Sequence, residues 1–157
     1  MNELDIELLE EHDKVNIYTL RFKNEENTEF EKFILKFPEG CEHEEDIDVV
    51  ISWVDRIGNN GALERYFRNE GKYGEGLIAI PIEQNGLRLY CMRLSDSIII
   101  IGNGGIKNVR RWQDDPDLSL YMETLSKIGN LLKSRLKRSS IKIVNNKELT
   151  GNLKFKI

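Results

Sequence analysis

The 157-residue chain has only two cysteines, two histidines and three prolines. Cys41 and Cys91 have no paired spacing, and His12 and His43 set out no zinc pattern, so a disulfide framework and a structural metal are both disfavoured. Long apolar runs are also missing. Ile98–Ile101 is among the longest, far short of the roughly 20 residues that a membrane-spanning helix needs. The start, Met1-Asn-Glu-Leu-Asp-Ile-Glu7, is acidic where a secretory segment would be basic. These scarcities together lead us to expect a cytoplasmic protein with reduced thiols, no membrane partner, no metal and no cofactor. Strong catalytic signatures are missing too: there is no Gly-x-Ser-x-Gly, no Gly-rich loop ending in Lys-Ser/Thr and no His-Glu-x-x-His.

What is present is charge, at 32% of residues, unevenly distributed. Residues 1–55 hold 5 Lys/Arg against 17 Asp/Glu, whereas residues 56–138 hold 14 against 9 and residues 139–157 hold 4 against 1. An acidic front joined to a basic back admits an anionic partner for the basic part. It equally admits acidic helix faces turned to solvent.

Residue periodicity predicts one α+β domain over 1–157. Strands are expected at 4–11 and 15–22, followed by a helix capped by Thr28 with Glu31 in capping-box spacing and ended by Pro38-Glu39-Gly40. A second helix runs over 44–57 with Ile47, Val50, Ile51, Val54 and Ile57 on one face, and a helical turn follows at 62–67. Glycine content makes 68–76 a loop. An antiparallel meander over 77–82, 87–94 and 98–101 comes next, with an Asn85-Gly86 turn, Pro81 at an edge or strand end, and Gly102-Asn103-Gly104-Gly105 as the exit. The unbroken run 98–101 suggests burial on both faces. Asp115 caps a long helix with Pro116 at its first position, and residues 141–157 form a hairpin around Asn145-Asn146 that returns through Leu153, Phe155 and Ile157.

The most informative stretch is Gly86-Leu-Arg-Leu-Tyr-Cys-Met-Arg93. Alternation along a strand puts Arg88, Tyr90 and Met92 on one face. Lys107, Arg110, Arg111 and Trp112 follow the next strand, and Arg65 and Arg68 precede the meander. Cations with an aromatic among them suit phosphate contact and base stacking. The plain structural reading is a salt bridge for Arg88 and a half-buried strand tyrosine at 90. Arg88 and Arg93 meeting a small anion is a third reading.

Gly86-Leu-Arg88-Leu-Tyr90, Asp96-Ser-Ile-Ile-Ile-Ile-Gly102 and Gly104-Gly105-Ile-Lys107 follow one another in an order that resembles the RelE/HigB-like toxins of type II toxin–antitoxin modules. The resemblance spans about residues 60–125. It implies an antiparallel meander packed by N-terminal helices and a ribosome-dependent endoribonuclease that cuts mRNA and inhibits translation. It further implies a cognate antitoxin, a small helix-turn-helix protein, whose binding would mask the basic sheet. Carried over residue by residue, Arg88 matches the strand arginine that faces the scissile phosphate, Lys107 the lysine after the glycine turn, and Tyr90 a proton-transfer or stacking position. Arg65 and Arg68 lie where the family has basic residues before the sheet, and Arg110, Arg111 and Trp112 are added as expected RNA contacts on their chemistry alone. The alternative is a non-enzymatic phage or mobile-element accessory protein of the same fold that works through protein–protein contacts. The acidic balance, the N-terminal addition and the C-terminal hairpin depart from the family pattern.

Overall fold

The computed structural model describes residues 2–71, 76–81 and 86–157. In chain order it runs β1 (Glu3–Glu11), β2 (Asn16–Phe22), α1 (Glu29–Leu35), α2 (Glu44–Asn60), a 3-10 turn (Glu64–Tyr66), β3 (Arg68–Asn69), β4 (Leu77–Pro81), β5 (Leu87–Ser95) and β6 (Ile98–Ile106). A second 3-10 turn (Trp112–Asp114) leads into α3 (Pro116–Lys137), followed by β7 (Ile141–Val144), β8 (Glu148–Gly151) and β9 (Lys154–Lys156). The architecture is α+β, as the periodicity predicts.

Seven strands form one sheet in the order β3-β4-β5-β6-β2-β1-β9. Each described pairing is antiparallel except β2 with β6, which run parallel. Alternation in the strands splits the core into two layers. On one side Ile17, Leu89, Cys91, Ile99 and Ile101 pack with Phe33 of α1 and Val50, Val54 and Ile57 of α2. On the other, Tyr18, Leu20, Tyr90, Met92, Ile98 and Ile100 pack with Leu118, Met122, Leu125, Ile128 and Leu132 of α3. The isoleucine run of β6 is therefore buried on both faces. Both helix starts form as their sequences dictate. Thr28 and Glu31 complete a reciprocal capping box, and Asp115 accepts from the amides of Asp117 and Leu118.

Four expectations need correction. Gly102–Gly105 does not end β6 but lies within it, and Gly102 and Gly104 leave no room there for a side chain. A Cβ on Gly102 would meet Leu125 of α3 at 3.2 Å, and one on Gly104 would fall 1.9 Å from the Arg88 carbonyl oxygen. Residues 68–69, read as loop, form β3 against β4, so Pro81 ends a strand that is not an edge. The tail hairpin pairs β7 with β8, and Phe155 belongs instead to β9, which joins β1 in the main sheet. Ile51 stands 39% exposed, because the buried stripe of α2 passes through Ile47, Val50, Val54 and Ile57. Ile82 and Asn85, placed in a strand and a turn from sequence, lie outside the described residues.

Candidate functional site

Arg88, Tyr90, Lys107, Arg68 and Trp112 converge on one corner of the sheet, where β3, β4 and β5 meet the segment leading into α3. Pairing sets this up: Arg68 lies opposite Ala79, and Ala79 lies opposite Tyr90. Register matters as well. Leu89 faces Gly104 while Cys91 faces Ile101, so Gly102 and Asn103 both stand opposite Tyr90. This β-bulge tightens local twist and re-aims neighbouring side chains.

At the centre is Glu70, a residue the sequence pattern did not single out. Its backbone is held from two directions: its amide donates to Leu77 O at 3.0 Å, and Trp112 Nε1 donates to its carbonyl at 3.2 Å. Its side chain turns inward, and the buried Oε1 has no hydrogen bond among the described residues. Burial pushes its carboxyl above the usual range, while the charges of Lys107, Arg68 and Arg88 pull it back down. Glu70 is thus a half-buried acid within electrostatic range of three cations. No motif of spacing could have found it, since it sits in a glycine-rich stretch. The nearest signal was an acid directly between Arg68 and Lys72, one of two acids in that stretch.

Arg88 is only 7% exposed and donates from Nη1 to the Leu87 carbonyl at 3.0 Å. Tyr90 is fully buried, and its hydroxyl has no hydrogen bond among the described residues. Burial, then the negative charge of Glu70, pushes the Tyr90 phenol well up. Beside the corner a cleft of about 450 Å³ is lined by Glu70, Gly71, Leu77, Trp112, Gln113 and Met122, among others. Trp112 forms part of its wall and packs against the α3-side core.

The remaining cations lie apart from this corner. Arg65 lies over the Tyr66 ring, its Cζ 5.4 Å from the centroid, in an aromatic cluster that continues through Trp53 on the α2 side. Arg110 is exposed, and Arg111, also exposed, pairs with Asp114 at 3.4 Å. Among the described residues α3 packs against one side of the sheet, and α1 and α2 against the other. A partner that masks the basic sheet, as expected from the sequence, would reach it past these helices or at its edges among the described residues. Among the described residues, no helix is long and apolar enough to cross a membrane.

No family model matches the chain, and neither does any curated protein or solved structure.

Proposed function

We propose that the chain acts on RNA as a RelE/HigB-like, ribosome-dependent endoribonuclease, with the Glu70–Arg88 corner as its reactive centre. The observation that carries this reading is the convergence of one raised carboxyl with Lys107, Arg68 and Arg88. RNA cleavage by its own 2′-hydroxyl needs a base for that proton and fixed positive charge for the phosphorane. In this scheme the Glu70 carboxylate takes the 2′-hydroxyl proton as the new P–O bond forms. Arg88, set behind the surface, lends its fixed positive charge to the phosphorane, and Lys107 and Arg68 add charge. The P–O5′ bond then breaks, the leaving 5′-oxygen takes a proton from water, and a 2′,3′-cyclic phosphate and a free 5′-hydroxyl remain. Tyr90, sealed below α3, supports Arg88 and transfers no proton. Trp112 supplies an indole for base stacking at the rim, with Arg110 and Arg111 as outlying phosphate contacts.

This reading puts the protein in the cytoplasm, with the ribosome and mRNA as targets and a small helix-turn-helix antitoxin as its partner. Inducing the chain in cells and mapping new mRNA 5′ ends tests it. Growth arrest with new ends that vanish in Arg88→Ala is expected, and unchanged ends at full expression would overturn it.

One observation favours a second reading. Arg88 and Tyr90 are nearly closed to solvent, which fits a non-enzymatic phage or mobile-element accessory protein of the same fold that works through protein contacts. Tolerated expression, together with recovery of a stable protein partner, would select it.

A further inference from the structure

Charge is most lopsided at the C-terminal end of the chain. Residues 124–157 hold 9 Lys/Arg against 1 Asp/Glu, where residues 1–123 hold 14 against 26. The fold gathers part of this excess around a groove of about 630 Å³ between α3 and the β2-β1-β9 end of the sheet. Arg21, Lys23, Arg135, Lys154 and Lys156 line it, against Glu3 and Asp5. Glu3 is shared between Lys23 at 3.0 Å and Lys156 at 3.7 Å, and Glu7 holds Arg21. Arg135 and Lys154 have no carboxylate partner among the described residues. Arg135 is nonetheless fixed: its Nη1 donates to the Asn152 and Lys154 carbonyls, and its Cζ lies 4.0 Å from the centroid of the Phe155 ring. Both bonds use one nitrogen, so Nη2 and Nε are left to donate elsewhere. Exposed Arg138 stands one turn further along α3, and exposed Lys127 lines the adjoining recess with Lys23.

We propose that this face docks on the phosphate backbone of double-helical RNA, whatever its base sequence. The inference deepens the RNA reading and rests on it for the choice of RNA. A guanidinium whose position is already set offers a phosphate paired N–H donors, and the lysines around it add charge without direction. Helix polarity accounts for only part of the pattern. Lys137 and Arg138 offset the negative end of α3, but Lys154 and Lys156 lie on β9.

The groove lacks the means to hold other anionic partners. Single strands are held by aromatic side chains on which bases stack. Here Phe155 is 1% exposed beneath Arg135, and Phe22 packs on the α3-side core with Lys32 Nζ 5.2 Å from its ring centroid. Among the described residues, none of the large apolar side chains that stand exposed lines the groove. A membrane-surface site would set such side chains into the lipid. Cations without free aromatic or apolar companions suit a helix whose bases are already stacked and whose phosphates face outward.

The probe is a fluorescent RNA hairpin with a fully paired stem, titrated without ribosomes and read by anisotropy. Wild type should bind with an affinity that falls linearly in log salt. Arg138→Gln with Lys154→Gln should keep the circular dichroism spectrum, bind about 10-fold more weakly and reduce the salt slope by about 2. A purely structural role would leave that slope unmoved. Lys14→Gln, in the turn at the other end of β1 from Glu3, should bind as wild type does. Wild-type binding by the double variant, or an equal loss in Lys14→Gln, would overturn the proposal. So would tighter binding to an unpaired strand, to poly-glutamate or to phosphatidylglycerol vesicles than to the hairpin. Tighter binding to duplex DNA of the same sequence would overturn the choice of RNA. Cleavage is read separately. A chain that binds the hairpin and never cuts mRNA loses the catalytic reading alone, and one that cuts mRNA without binding the hairpin loses this inference alone.

Discussion

Trp112 Nε1 donates to the backbone carbonyl of Glu70 at 3.2 Å, joining the turn before α3 to the residue that follows the shortest strand of the sheet. The bond fixes Glu70 of the candidate site relative to α3. Trp112→Phe keeps much of the ring and removes the donor. It should cost about 1 kcal/mol in denaturant unfolding and speed exchange of the Glu70 and Gly71 amides. Unchanged exchange there would mean that the segment is held by other contacts.

Two glycines face opposite fates when a methyl group is added. At Gly104 the new Cβ would lie 1.9 Å from the Arg88 carbonyl oxygen, which belongs to a paired backbone and cannot yield. At Gly129 it would meet Met92 Cε at 2.2 Å, the loose end of a flexible side chain. Gly104→Ala should therefore lose on the order of 3 kcal/mol or fail to fold, while Gly129→Ala should lose less than half as much. Thermal melts of the pair measure the contrast.

On α2, Ile57 is fully buried and Ile51 is 39% exposed. Ile57→Ala should cost about 2–5 kcal/mol and Ile51→Ala less than about 1 kcal/mol in urea unfolding. Equal losses would place Ile51 in the core after all.

Glu70 carries a pH signature. Its folded-state carboxyl is raised above 4.5, so the folded chain holds this proton more tightly than the unfolded chain does. Stability should therefore fall as pH rises from the unfolded value through the raised one, and then level off. Glu70→Gln should remove that decline. Urea midpoints across acidic to neutral pH, wild type against variant, give the comparison, and parallel curves would show that the side chain is not buried as described.

The local rules were legible. Thr28 with Glu31, and Asp115 before Pro116, mark helix starts because capping depends on residues three or four apart. The alternation that sets Arg88 and Tyr90 on one face of β5 was readable for the same reason. What escaped was non-local. Gly102–Gly105 reads as a turn by composition, and only Leu125 on α3 and the Arg88 backbone explain why those glycines belong to a strand. Phe155 alternates with its neighbours whichever strand it pairs with, so its partnership with Leu4 of β1 left no mark in the sequence. Glu70 became visible only once β3 and Trp112 enclosed it.

The central claim is that the Glu70–Arg88 corner cleaves RNA. Purified wild type, Arg88→Ala and Glu70→Gln, each shown folded by circular dichroism, would be incubated with programmed ribosomes and end-labelled mRNA. The account predicts cleavage by wild type with a 2′,3′-cyclic phosphate end, and a loss on the order of 10²–10³ in rate for each variant. Wild-type cleavage by a folded Arg88→Ala, or no cleavage by any of the three, would contradict it.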